Sequence, residues 1–306
     1  VIENYKSIRH CDVTLGKLNY LVGMNGSGKS NFLDALDFCH AVASGNKASF
    51  LRKRGGFDFT VHEKNNDKSI KISAFLIDFA WNLFIIGNNH TDLGCHKEIK
   101  NIFENARFYN INPLAIKKIE PSTEKESLTF DGSNTAIIYN LISKEKQILI
   151  LDYLQKIVSE IKNVEYAGAG FAETLKFTMN DGLVLYPSQM SDGTLRALGI
   201  LVALFQPNTP SLIGIEEPET GLHAAATHVL RSALERASAH SQIIVTTHST
   251  ELFDDTFQDF SQIKIVMMEK GETKITPIQP ELVELLKDGT FTAGELMRMG
   301  KLDGQL

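Results

Sequence analysis

Gly23-Met-Asn-Gly-Ser-Gly-Lys-Ser30 is the stretch around which the rest of the chain is organised. It has the G-x-x-x-x-G-K-[ST] spacing of a phosphate-binding loop. Gly23, Gly26 and Gly28 let the backbone bend so tightly that its N–H groups can encircle a phosphate chain. Lys29 supplies a point charge for β- and γ-phosphates, and the Ser30 hydroxyl is a ligand for Mg²⁺. The flanks agree. Lys17-Leu-Asn-Tyr-Leu-Val-Gly23 reads as a buried strand entering the loop. Beyond it, Phe32, Leu36, Cys39 and Ala43 recur at helical spacing, so a helix N-terminus would face the phosphates. The expected binding set is Gly23, Asn25, Gly26, Ser27, Gly28, Lys29, Ser30 and Asn31, holding ATP with Mg²⁺.

The 306 residues, 43% hydrophobic, can bury one large core or two modest ones. A net charge of −6 and a pI of about 5.9 give no global basic field for nucleic acid. Arg52-Lys53-Arg54 is the one local basic candidate, and a solvated loop is an equally good reading of it. Cys11, Cys39 and Cys95 form no C-x-x-C pair, which argues against a zinc site or disulfide framework. No apolar run approaches ~18 residues and no charged-then-apolar leader opens the sequence. The expectation is a cytoplasmic chain that uses no membrane. It opens at Val1-Ile-Glu-Asn-Tyr-Lys6 without a methionine, as if inside a strand, so native residues are expected upstream.

Val1 to Gly23 predicts two strands around a turn, then the loop helix to about Ser44-Gly-Asn46. Phe57–Val61, Ser69–Ile77 and Trp81–Ile86 predict an antiparallel sheet. Gly87 to Glu126 has poor periodicity. Asp131-Gly-Ser-Asn134 predicts a turn capping a helix, with a second helix over Gln147–Ile161. Strands return from Phe171 to Leu185 around Asn180-Asp-Gly182. Strand and helix then alternate to Thr250, the pattern of a parallel sheet. Ile263–Glu269 and Thr273–Ile278 predict a hairpin at Gly271, and a helical tail ends near Met299.

Ser211-Leu-Ile-Gly-Ile-Glu-Glu-Pro-Glu-Thr-Gly-Leu-His223 is an apolar strand ending in two acids. Such a strand carries charge to the sheet edge where ligands sit. Glu216 would hold the metal and Glu217 would act as general base on a water; an exposed turn is the plainer reading. His248 ends the next predicted strand and could reach a γ-phosphate, although a lone histidine is more often structural. Ser191-Asp-Gly-Thr194 opens a helix. Ser191 is a good N-cap, and with the Gly193 amide and the helix dipole it could also form a second anion site.

Four motifs in this order resemble the ABC-type ATPases, and among them the SMC-like, RecF-like and OLD-like soluble branch, over nearly the whole chain. The resemblance implies that Lys6, in Ile2-Glu-Asn-Tyr-Lys-Ser7, lies near the nucleotide. It makes Ser191–Thr194 the signature motif, Glu217 the catalytic glutamate, Thr220–His223 the D-loop and His248 the switch histidine. E-E-P-E, Arg54-Gly-Gly56 and Asp131-Gly-Ser-Asn134 are similar to a bacterial group of ATPases found beside effectors, commonly nucleases, in antiviral systems such as Septu.

Glu216 stands where most ABC proteins have Asp, and His223 where the D-loop has Asp. No glutamine fits a Q-loop, for which Asn112 is the candidate. The expected fold is α/β: a P-loop NTPase, an ABC ATPase head with an antiparallel β-rich lobe and a helical insertion, lacking a long coiled coil. A single domain is expected, with lobe I over about 1–110, the insertion over 111–165 and lobe II over 166–306. The expected function is an ATP-hydrolysing switch that forms a head-to-tail homodimer and gates an effector, such as a nuclease, with nucleic acid reached through the complex. The competing reading is a DNA-binding RecF- or SMC-like repair ATPase.

Overall fold

The computed structural model describes residues 1–62, 69–76, 79–86, 89–119, 126–169, 172–253 and 257–302. The first half of the chain forms β1 (Ile2–Tyr5), β2 (Ile8–Cys11), β3 (Leu18–Val22), α1 (Lys29–Ala43), α2 (Lys47–Lys53), β4 (Ser69–Leu76), β5 (Phe79–Ile86), β6 (Asn89–Cys95), α3 (Lys97–Glu104), β7 (Ala106–Tyr109), α4 (Pro113–Ile116), α5 (Thr135–Leu141) and α6 (Lys144–Ile157). Then follow β8 (Ile161–Ala169), β9 (Ala172–Met179), β10 (Val184–Leu185), α7 (Asp192–Phe205), β11 (Leu212–Glu216), α8 (Ala224–Ala237), β12 (Gln242–Thr247), β13 (Ile263–Glu269), β14 (Glu272–Pro277), α9 (Pro280–Lys287) and α10 (Ala293–Arg298). The chain divides into two compact units, Val1–Arg107 with Thr246–Leu306, and Phe108–Val245.

The first unit carries an antiparallel sheet in the order β2-β1-β4-β5-β6. It also holds the β13–β14 hairpin, whose strand β13 runs parallel to β3. All five residues of β3 are buried, as a strand covered on both faces requires. At its end the chain enters the phosphate loop and then α1, which buries Phe32, Leu33, Leu36 and Cys39.

A charged knot holds α1 to its neighbours. Asp34 accepts from Tyr5 Oη at 2.7 Å and pairs with Lys6 Nζ and Arg54 Nε, each at 2.5 Å. Arg54 also reaches Asp37 at 3.0 Å and lies 3.4 Å above the Phe50 ring. Burial raises the Asp37 carboxyl pKa, and the Arg54 charge opposes that rise. Arg54 thus has a structural task within the basic run, while Arg52 and Lys53 are exposed.

The second unit carries the antiparallel sheet β10-β9-β8, and strands β12, β11 and β7 side by side in that order. Helix α7 is apolar almost all round and buried from Thr194 to Phe205 except for Arg196.

The α/β architecture expected from the motifs, with an antiparallel sheet and strands that alternate with helices, is present, and the described residues contain no long coiled coil. Three local expectations change. The opening holds three strands, because the chain turns at Lys6 (φ 46°) and restarts at Leu18 after Gly16 N donates to Asn19 Oδ1. Phe57–Val61 is no strand: Phe57–Phe59 coil into a 3₁₀ turn, closed by Thr60 Oγ1 donating to Phe57 O at 2.6 Å. The helix expected over Gln147–Ile161 begins at Lys144 behind the Ser143 cap and stops at Ile157, Ile161 already opening β8. The strand ends expected at Ile77 and Phe171, and parts of 87–126, lie outside the described residues.

Arg54→Ala leaves Asp34 and Asp37 half-buried with less compensating charge. It is expected to destabilise the protein by about 2–4 kcal/mol, whereas Arg52→Ala should stay within about 0.5 kcal/mol. Urea denaturation of both variants checks this, and equal effects would remove the structural role of Arg54.

Candidate functional site

In the first unit the loop geometry follows from one close approach. Gly28 has φ 102°, and a Cβ there would fall 1.9 Å from Thr273 Oγ1 on β14. Only glycine lets the backbone pass so near the hairpin. A directed chain of hydrogen bonds fastens the same place. Thr273 Oγ1 donates its one proton to Ser27 O at 3.0 Å, so it must accept from Ser7 Oγ at 2.6 Å. Ser7 Oγ in turn accepts from Asn31 Nδ2 at 2.6 Å. Thr273 N also donates to Ser7 O at 2.8 Å.

Lys29 is buried and donates to the carbonyls of Gly23 and Met24 at 2.7 and 2.9 Å, inside the curve of its own loop. Ser27 Oγ is buried and has no hydrogen-bond partner, and Asn25, Gly26 and Ser30 are exposed. A left-handed glycine cradle, a lysine folded into it and a buried hydroxyl lacking a partner fit a phosphate chain. The structure therefore gathers Lys6, the whole loop and Asn31 in one unit. Lys6 lies against Asp34. His248 belongs to the same unit, exposed just beyond β12.

In the second unit β11 delivers Glu216 and Glu217 half-exposed from a strand buried up to Ile215. Glu217 has φ 41°, a left-handed backbone that a non-glycine residue adopts only when its surroundings hold it there. Thr220 N donates to Glu217 O at 3.1 Å, closing the turn that creates this bend. Asn110, directly after β7, donates from Nδ2 to Glu216 Oε2 at 2.9 Å. Asn112, the candidate named from sequence, instead caps α4 by accepting from Leu114 N. An asparagine closing a short strand was the available signal, two residues earlier.

Ser191 caps α7, its Oγ accepting from Thr194 N at 3.1 Å, and the residue remains exposed. Gly193 packs on the loop that follows β11: a Cβ there would stand 2.4 Å from Gly221 O. Asp192 is paired with Lys117 at 2.5 Å. Burial lowers the Arg196 pKa, opposed by the charges of Glu217, Glu219 and Asp192, so this arginine looks onto the acidic loop. His223 Nδ1 accepts from Ala226 N and caps α8. Sequence reasoning gave no role to Arg196, which closes the Met190–Arg196 stretch, or to Thr273, which opens the expected second strand of the hairpin, because their partners lie on other elements.

Chemically, the first unit offers cations and amides to phosphates, and the second offers two carboxylates to a cation and a water. Glu216 and Ser30 have the hard oxygens that Mg²⁺ prefers. No helix among the described residues is long and apolar enough to cross a membrane.

Comparison with known proteins follows the same lines. Solved SMC heads share the fold. The SMC head domain from Thermotoga maritima is 15% identical, covering 91% of this chain and 97% of that one at a TM-score of 0.52. The Smc head with extended coiled coil derived from Pyrococcus furiosus, bound to the C-terminal domain of ScpA, is 14% identical, covering 95% and 98% at 0.60. Two curated relatives from Arabidopsis thaliana are ABC transporter A family member 5, 39% identical over 61 residues, and member 4, 30% identical over 123. The matches cover 20% and 40% of this chain and only 6% and 11% of those relatives. A family described as "AAA ATPase domain" matches residues 1–112. A second, described as "AAA domain, putative AbiEii toxin, Type IV TA system", matches residues 95–254, more than half of the chain, and the chain belongs to this family of ATP-hydrolysing domains.

Proposed function

We propose that the chain is a MgATP-driven switch that pairs head-to-tail with a second copy and gates an effector protein. The observation that carries this reading is the held carboxylate pair. Glu216 is anchored by Asn110 and Glu217 is set in a left-handed bend at the end of β11. Lys29 and the loop amides of Gly23–Ser30 would hold the phosphates, Ser30 and Glu216 would hold Mg²⁺, and Glu217 would take the proton of the attacking water. His248 orients that water or the γ-phosphate. Mg²⁺ supplies charge neutralisation at the phosphates when bound.

The exposed Ser191 and the N-terminus of α7 complete the site of the paired copy, so that dimerisation follows from nucleotide already bound by each copy. The boundaries drawn from sequence, lobe I to about 110, the insertion over 111–165 and lobe II beyond, are retained in this reading. The resemblance to defence-system ATPases and the toxin–antitoxin description of the family support a cytoplasmic role in antiviral defence beside an effector such as a nuclease. The solved complex of an Smc head with ScpA shows a head of this fold serving as a docking platform, which supports an effector here. Arg54 is engaged by Asp34 and Asp37, which weighs against direct DNA binding by the basic run.

Lys29→Ala is expected to abolish ATP binding together with turnover, because the cradle loses its central cation. Calorimetric titration with ATP checks it, and unchanged affinity would reject the loop. Ser191→Arg should keep single-copy ATP binding and block pairing; normal ATP-dependent dimerisation would reduce Ser191 to a helix cap. Glu217→Gln keeps the size but cannot accept a proton at neutral pH. Phosphate release should fall by about 10²–10⁴-fold, while an ATP-dependent dimer accumulates on size-exclusion chromatography. Near-normal turnover would reject Glu217 as the base.

A further inference from the structure

The unit that holds the phosphate loop also contains a cavity of about 610 Å³, within the range of small-molecule sites, that no residue role given above explains. Lys6, Ser7, Asp58, Phe59, His62 and Gly271 are among its walls. It shares Ser7 with the phosphate loop, through the hydrogen bonds of Ser7 Oγ to Asn31 and Thr273.

His62 is the informative wall. It is 5% exposed, and its Nδ1 lies 2.7 Å from Lys6 O. A carbonyl oxygen only accepts, so Nδ1 carries the proton. In the uncharged ring Nε2 is then a lone-pair acceptor. That atom is buried with no hydrogen-bond partner, and a buried acceptor in that state is costly until an N–H reaches it. The backbone keeps the ring in place. His62 N donates to Asn4 O at 3.1 Å and Lys6 N to Thr60 O at 2.8 Å, with Asn4 and Lys6 both in left-handed conformation. Phe59, 73% exposed on the same cavity, offers an aromatic face to a flat ring.

We propose that this cavity seats the nucleoside of the bound nucleotide, and that His62 Nε2 reads the C6 edge of its purine by accepting from a 6-amino group. The proposal rests on the phosphate-loop reading. A 6-oxo purine would set its own lone pairs against that of Nε2, and would be refused. His62 thereby selects adenine over guanine and hypoxanthine.

ITP isolates this contact, since it differs from ATP only in carrying a 6-oxo group and N1–H in place of the 6-amino group and N1. Ribose-labelled MANT-ATP, whose base edge is untouched, is displaced from the full chain by ATP or by ITP. ITP is expected to compete about tenfold or more weakly than ATP. In His62→Phe the two competitors should come within about twofold of each other, with circular dichroism reporting that the variant is folded. The ratio in the parent chain decides even if the variant fails to fold. Equal competition by ATP and ITP in the parent would overturn the role of His62 while leaving the phosphate loop intact. An ITP penalty that persists undiminished in folded His62→Phe would overturn it too. Absence of MANT-ATP binding would overturn both readings.

Discussion

The candidate phosphate loop in the first unit depends on one steric constraint, the passage of Gly28 against Thr273. The backbone there has φ 102° and no space for a β-carbon, so loop and hairpin define each other's shape. The hydrogen bonds that run from Asn31 through Ser7 and Thr273 to Ser27 O then convert contact into position. Each partner has its proton committed, which leaves little freedom for the loop to relax into another curve. A phosphate-binding nest needs that rigidity, because amides aimed in advance lose no orientational freedom when charge arrives.

The carboxylate pair in the second unit is organised by a different device. Glu217 is bent by its own turn and Glu216 is held by Asn110, which directly follows β7 and belongs to the same unit. Arg196 adds positive charge toward Glu217 and Glu219 from the first turns of α7. The helix that carries the exposed Ser191 therefore touches, through Gly193 and Gly221, the loop that carries the carboxylates. A displacement of α7 would be felt at Glu217 through this contact, within a single unit.

What was legible in the sequence was local. The phosphate loop, the strand ending in Glu216 and Glu217, the Ser191 cap and the hairpin at Gly271 are each written in neighbouring residues, and all four are present. The turn at Lys6 was hidden because nothing in the composition of Val1–Gly23 marks a third strand, and the chain bends there through left-handed Asn4 and Lys6. Phe57–Val61 has strand composition, yet Thr60 bonds back to Phe57 and the backbone coils instead. The duties of Arg54, Asn110 and Thr273 were invisible for a deeper reason. Their partners lie 20, 106 and 246 residues away, and no periodicity encodes such pairings.

The bond between Ser7 and Thr273 joins positions 266 residues apart. A chain leaving the ribosome at about 5–20 residues per second displays its phosphate-loop motif long before Thr273 emerges. Until then Gly28 has nothing to lie against and Ser27 O no donor. The most local of all the motifs thus takes its final curve only after the hairpin that it packs against has been made. The order of synthesis thereby ties the shape of an early loop to the arrival of a late hairpin.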